Sequence, residues 1–262
     1  MKKKSSPQRS RQRDVAAAPL VLPLSPERIV DTALALVHDV GLGAFSTRRL
    51  GERLGCEAMS IYHHFPSKQH LLDAMVDRVL GSIAFPDAAL APAERVRAVA
   101  RAYRDMARRH PAFYPLLAVH RLNTPLGVAT IDRVLGIIGA LVPDTELAAR
   151  HFRTLGYYLT GSALDETSGY ARGPSAAEPV SEADVAAHCP HLAAAAPFFA
   201  ERHWEATFSL GLDALMARME ADGRAARKAV AARRLRHRWP RGAGQRPRAA
   251  APVPAGVAQG AT

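Results

Sequence analysis

Apolar residues recur along this chain at intervals of three and four, and strict alternation with β-branched residues is almost absent, which predicts helices throughout. Ser25 is a capping side chain and Pro26 a first-turn proline, whose missing N–H is harmless there. Behind them, Ile29, Val30, Ala33, Leu36, Val37 and Val40 form one buried stripe, and Gly41 supplies the stop. Ser46 caps a second helix that turns Leu50 and Leu54 inward and ends at Gly55. A third, short helix runs from about Glu57 to His64, offering Met59 or Ile61, together with Phe65, to the core. Pro66 breaks it, and Ser67 caps a long fourth helix bearing Leu71, Leu72, Met75, Val76, Val79, Leu80 and Ile83.

Pro86 to Pro92 reads as a linker into a second helical region. A fifth helix carries Val96, Val99, Tyr103 and Met106 and stops at His110-Pro111; a short helix with Phe113 and Leu117 follows. Thr124-Pro125 opens another helix, and the next, at about 145–165, holds Phe152, Leu155, Tyr158 and Leu159 among small residues. Residues 168–197 are rich in Gly, Pro, Ala and Ser and read as a long loop with at most one helical turn. The last strong helix spans about 198–221, with Trp204, Phe208, Leu212, Leu215 and Met219 at helical spacing; residues 224–238 can extend it transiently, whereas 240–262 lacks the apolar content for a core. The fold class is therefore all-α: an N-terminal three-helix helix-turn-helix domain joined by a long helix to a helical domain. The expected boundaries are a basic disordered arm at 1–24, the first domain at 25–84, the second at 85–222 and a basic Ala/Arg/Pro/Gly-rich disordered tail at 223–262.

Charge sharpens the picture. The 262 residues carry 35 Lys and Arg against 24 Asp and Glu, a net +11, but residues 1–14 hold +5 and residues 223–262 hold +10. The body between is mildly acidic, so the two tails carry the basic excess. Such tails release counterions from any duplex nearby, adding affinity without sequence preference; a solubilising extension without that duty is the equal alternative. Cys56 and Cys189 are too few for a disulfide scaffold. The basic and apolar start mimics a signal peptide, but Asp14, Pro19 and Pro23 interrupt it, and a cytoplasmic protein is expected. No Gly-x-Ser-x-Gly, His-Glu-x-x-His or phosphate-binding glycine loop occurs, so no catalytic residue and no cofactor is expected. His188-Cys189-Pro190-His191 lacks a second ligand pair and is read as a loop, with no metal.

The sharpest chemistry lies in the second and third helices. Two short helices joined by a tight glycine turn allow one of them to enter a major groove while the other holds it clear of its own domain. With Leu50, Leu54 and Phe65 inward, Thr47, Arg48, Glu57, Ala58, Ser60, Tyr62 and His63 face out. The run Phe45-Ser46-Thr47-Arg48-Arg49-Leu50-Gly51-Glu52-Arg53-Leu54-Gly55, followed by Met59-Ser60-Ile61-Tyr62-His63-His64-Phe65-Pro66-Ser67-Lys68, resembles the DNA-binding domain of the tetracycline-repressor (TetR) family over about residues 25–84.

That resemblance implies roles. Thr47 and Arg48 would contact phosphates, aided by the amide dipoles at the helix start. Glu57, Ala58, Ser60 and His63 would meet base edges, and Tyr62, His64 and Lys68 would grip the backbone. Glu57 departs from the small residue usual there; its carboxylate is repelled by phosphate but can accept from a cytosine amino group. Arg49 is either a further contact or a structural salt bridge. Weaker similarity to the ligand-binding half of the tetracycline repressor appears in His110-Pro111, in His120 with Thr124-Pro125, in Gly161 and in Phe208 with Gly211-Leu212.

The second region offers apolar walls with Tyr103, Phe113, His120, Phe152, Tyr157, Trp204 and Phe208 as candidate contacts to a small-molecule effector. His120 matches a tetracycline-contacting histidine, but the other drug contacts are not recognisable, so tetracycline is not implied. A palindromic operator offers half-sites about 34–36 Å apart, which calls for a homodimer, and the helices at about 145–165 and 198–221 have apolar and small residues to spare for pairing. The expectation is a ligand-responsive transcriptional regulator, most simply a repressor, bound to double-stranded operator DNA. The alternative is a helical small-molecule-binding protein or enzyme whose basic tails hold nucleic acid without sequence preference.

Overall fold

The computed structural model describes residues 23–169 and 176–238; the expectations for residues 1–22 and 239–262 lie outside the described residues. Its helices are α1 (Pro26–Val40), α2 (Thr47–Leu54), α3 (Ala58–Tyr62), α4 (Lys68–Leu80), α5 (Pro92–Arg109), α6 (Tyr114–Val119), α7 (Pro125–Leu141), α8 (Thr145–Ser168), α9 (Glu182–His188), α10 (Pro190–Ala195) and α11 (Trp204–Arg238). No strand occurs among the described residues, as the three-and-four periodicity predicts.

The capping chemistry explains where the helices begin. Ser25, Ser46, Ser67 and Thr124 each accept a backbone N–H of the first turn they precede, and Asp144 does the same for α8. Ile29, Val30, Ala33, Leu36 and Val37 of α1 are buried, while Val40 ends up exposed at the helix terminus. In α3 Ile61 takes the core position and Met59 points to solvent. That helix covers only 58–62 of the expected 57–64, because Glu57 holds extended backbone as its N-cap.

Two cores form. The first joins α1 to α4 through Ile29, Leu50, Ile61, Phe65, Leu71 and Met75, and continues beyond residue 84 into Met106, Phe113, Tyr114 and Leu117 of the α5–α6 segment. The second gathers Val96, Ile138, Leu155, Phe208, Leu212 and Met216 from α5, α7, α8 and α11. The α1–α4 unit therefore shares its core with α5 and α6 rather than ending at a linker.

Two expectations are corrected. The 168–197 stretch holds α9 and α10, and α11 is preceded by two single 3₁₀ turns at Ala196–Phe199 and Glu201–His203. Ser181 caps α9 by accepting from Asp184 N, and Pro190 opens α10, so caps offset the weak apolar content. The final helix does not stop near 221 but runs to Arg238, so residues 223–238 are not a structureless tail. A Cβ at Gly223 would lie 2.2 Å from the Leu141 carbonyl oxygen, so this glycine marks a close crossing of α11 over the end of α7. Arg227 Nη1 donates to that same carbonyl at 2.8 Å, satisfying a helix-terminal acceptor.

Candidate nucleic-acid interface and cavity

The helix-turn-helix is built on one left-handed glycine and one close approach. Gly55 has φ +72° and lets the chain leave α2 abruptly. Cys56 N–H then donates back to Gly51 O at 3.0 Å, bringing the turn against the middle of α2. Two ion pairs fix the unit on its scaffold: Arg53 to Asp39 at 2.5 Å ties α2 to α1, and Arg78 to Asp31 at 2.8 Å ties α4 to α1.

On the opposite side the expected contact residues come together. Thr47 Oγ1 and Tyr62 Oη are 3.4 Å apart, so the start of α2 and the end of α3 form one surface. Arg48, Glu57, His63, His64 and Lys68 are exposed, and Ala58 and Ser60 are half-buried on the same short helix. The Lys68 ammonium sits 5.6 Å from the centre of the Phe45 ring. Arg48 pairs with Glu52 at 3.2 Å, but with side chains 88% and 62% exposed this i,i+4 pair is worth only about 0.3–0.5 kcal/mol and exchanges readily for a phosphate. Of the two alternatives for Arg49, the salt bridge is not formed among the described residues. Its guanidinium donates to Ala44 O at 3.1 Å, bracing the loop before α2 from an exposed position that leaves the further contact open.

A cavity of about 740 Å³ lies behind this unit, where α4, α5, α6, α7 and α8 meet. Leu80, Ile83, Leu117, Val134, Leu155 and Leu159 supply its apolar walls. Of the seven expected contacts, Tyr103, His120, Phe152 and Tyr157 line it. Phe113, Trp204 and Phe208 do not. Phe113 belongs to the first core and Phe208 to the second, and Trp204 stands half-exposed at the start of α11. Their aromatic character marks burial in general, and packing decided which interior surface each joined. Arg121, Thr130, Arg153 and Thr160 are lining residues that sequence reasoning missed.

Several polar groups around the cavity are already committed. Tyr103 Oη and Tyr114 Oη are 2.9 Å apart, with the rings edge to face, and burial followed by the neighbouring Tyr103 pushes the Tyr114 phenol well above its ordinary value. His120 Nε2 lies 2.7 Å from Asp73 Oδ1, and Thr124 donates to Asp77 Oδ1 at 2.5 Å. Asp73 and Asp77 are one turn apart on α4, so the α6–α7 connection grips the helix that closes the helix-turn-helix unit. A second recess of about 390 Å³ opens beside His120 and Asp73.

On the far side of the second core, Arg104 is buried and donates from Nε to both carboxylate oxygens of Glu166, at 3.0 and 2.9 Å. It also pairs with Glu205 and lies 4.2 Å from the centre of the Phe208 ring. Burial works against its charge, but the bonds to Glu166 and Glu205 win and hold its pKa above the ordinary value. This cluster joins α5, α8 and α11. Outward from it, Leu210, Ala214, Ala217 and Ala221 form an exposed seam on α11 at intervals of four, three and four, and Tyr157 and Gly161 are exposed on α8. No group of three or more His, Cys, Asp or Glu residues able to hold a metal occurs among the described residues. No single helix among them is long and apolar enough to cross a membrane.

The sequence matches the family described as bacterial regulatory proteins, tetR family, over residues 29–75, and the tetracyclin repressor-like C-terminal domain over residues 89–222. It is similar to the tetracycline repressor protein class A from transposon 1721 of Escherichia coli, 29% identical over 217 residues that cover 79% of this chain and 93% of that one. It is 32% identical over 142 residues to the HTH-type transcriptional repressor DrrR1 of Streptomyces coeruleorubidus, covering 51% of each. Among solved structures, the Streptomyces coelicolor TetR family protein ActR in complex with actinorhodin superposes with a TM-score of 0.62 at 28% identity, over 77% of this chain and 99% of that one.

Proposed function

This chain belongs to the TetR family of bacterial regulatory proteins, and from that premise we propose that it is a homodimeric repressor, not an enzyme, which binds a palindromic operator in the cytoplasm and leaves it when a small-molecule effector enters the 740 Å³ cavity. The observation that carries the reading is the joined, solvent-facing surface of α2 and α3, with Thr47 against Tyr62 and His63 exposed, on a scaffold stapled by two ion pairs. Thr47, Arg48, Tyr62, His64 and Lys68 hold phosphates and set register, while Glu57, Ala58, Ser60 and His63 read base edges. The dimer forms through α8 and α11, whose exposed seam of Leu210, Ala214, Ala217 and Ala221 admits a close helix from a second copy. α4 transmits the effector's presence, because it is bound at one end into the DNA-reading core and gripped along its length by His120 and Thr124.

The test is selection of genomic fragments by the purified protein, followed by gel retardation of the recovered site at low and moderate salt. Wild type is expected to keep its preference for that site over a scrambled duplex as salt rises. The Tyr62→Ala, His63→Ala double variant is expected to lose the preference while remaining a dimer of unchanged thermal stability. Retention of the preference by that variant would show the reading surface to be misplaced. Loss of all discrimination by wild type at moderate salt would favour binding by the basic tails alone.

A further inference from the structure

The cavity's charges identify the kind of molecule it admits. Its lining includes Arg121 and Arg153 and no Asp or Glu. Elsewhere in the described chain arginines commonly find carboxylates, as Arg53, Arg78, Arg104, Arg150 and Arg218 do. No such pair is formed by Arg121 or Arg153 among the described residues. Arg153 donates to Tyr157 Oη at 3.2 Å and lies 4.9 Å from the centre of that ring, which holds the guanidinium at the cavity edge without neutralising it. A third cation, Arg133, stacks 3.9 Å from the centre of the Phe85 ring, itself part of the lining. The adjacent carboxylate Asp73 is engaged with His120 and faces the smaller recess.

A cationic occupant would meet only like charge here, and a neutral one would cover guanidinium groups without replacing their water. An acid gains charge-assisted, two-pronged hydrogen bonds from Arg forks that have no carboxylate partner among the described residues. The remaining lining favours an apolar, ring-bearing body: the aromatic residues Phe85, Phe152 and Tyr157 stand among aliphatic walls, and about 740 Å³ lies within the range of pockets that enclose drug-sized molecules. We infer that the effector is an aromatic acid, with a planar fused or linked ring body seated among Phe85, Phe152 and the aliphatic walls and its anionic group held by Arg121 and Arg153. The inference rests on the reading of this cavity as the effector site.

Two fluorescent probes separate the claims, because 8-anilinonaphthalene-1-sulfonate and N-phenyl-1-naphthylamine share their rings and differ by the sulfonate. Titrated into the full-length protein, the sulfonate is expected to bind at least tenfold more tightly than the neutral amine. The Arg121→Gln, Arg153→Gln double variant is expected to bring the two affinities within about threefold, leaving the neutral probe's affinity as in wild type. That unchanged affinity, with the two single variants measured beside it, certifies that the cavity is still folded. A wild type that binds both probes equally overturns the aromatic-acid assignment and leaves the cavity as an effector site. A preference that survives in the double variant places the anion on the basic tails and overturns the assignment equally. If neither probe binds wild type, the effector-site reading itself fails, and the assignment with it.

Discussion

Replacing Gly51 by alanine tests whether the spacing of the two short helices governs operator recognition. Gly51 sits in the middle of α2, where the turn into α3 crosses it. A Cβ there would lie 2.7 Å from Cys56 O and 3.2 Å from Ala58 N, both backbone atoms that cannot swing aside as a side chain would. Restoring ordinary contact needs the turn to move by about 0.7 Å, against a Gly51–Cys56 hydrogen bond and the burial of Ile61. Overpacking of this size costs roughly 1–3 kcal/mol. Alanine returns about 0.5–1 kcal/mol through its better helix propensity, so the net loss is about 1 kcal/mol and at most about 2.5 kcal/mol.

The functional loss should be larger than the loss of stability. The shift moves α3 relative to Thr47 and Arg48, and a dimer suffers it at both half-sites, where each displaced base contact is worth about 1–3 kcal/mol. Fluorescence anisotropy on the selected operator duplex should therefore show binding weakened by roughly tenfold to a hundredfold, beside a fall in Tm of about 2–6 °C. Gly43→Ala is the control, since nothing lies within 4 Å of a Cβ there. Should Gly51→Ala bind the operator as tightly as Gly43→Ala, the close crossing would have no part in recognition and the reasoning would be refuted.

Two further outcomes concern the body of the protein. Arg104→Met should destabilise the fold by about 3–5 kcal/mol in urea unfolding, because Glu166, 4% exposed, is left as a buried charge with only the Arg108 contact at 4.0 Å; adding Glu166→Gln should recover most of the loss, and failure to do so would mean the arginine acts through packing alone. His110 is held below its usual pKa of 6.5 by burial first, then by Arg109 and His38. The unfolded chain therefore takes up this proton at a higher pH than the folded one, so the stabilisation is present above pH 6.5 and is lost as pH falls below it. His110→Gln should flatten the decline in Tm between about pH 7 and 5, and an unchanged decline would assign it to other groups.

What the sequence disclosed follows from how local each determinant is. Ser46, Gly55, the inward Leu50 and Leu54, and the outward Thr47, Tyr62 and His63 all fall within a few helical turns, so spacing alone orders them correctly. The cavity instead draws on five helices. Its aromatic candidates were interchangeable in sequence, and only packing sent Phe152 to the cavity and Phe113 and Phe208 to separate cores. Arg121 and Arg153 resembled ordinary solvated arginines, and their common feature, no acidic partner among the described residues, becomes visible only once neighbours are known. The crossing of α11 over α7 was hidden for a similar reason: the value of Gly223 lies in a contact with Leu141, 82 positions earlier in the chain.

The position of the cavity explains why its occupancy can reach the DNA-reading helices. One wall, with Leu80, Ile83 and Leu117, belongs to or adjoins the first core, and the other, with Val134, Leu155 and Leu159, belongs to the second. Anything that fills the space presses on the seam between them. A ligand changes the balance of two arrangements only by binding them unequally, and a tenfold change needs about 1.4 kcal/mol of difference. The first arrangement is held across the seam by the His120–Asp73 and Thr124–Asp77 contacts, and hydrogen bonds to charged groups are worth about 1.5–3 kcal/mol each. Loss of one of these two contacts is thus comparable with the shift required, whereas a change confined to the exposed Arg48–Glu52 pair is too small by several-fold. His120 is both cavity wall and α4 partner, so under the proposed function the residue that would meet the effector is also one whose displacement would release the helix.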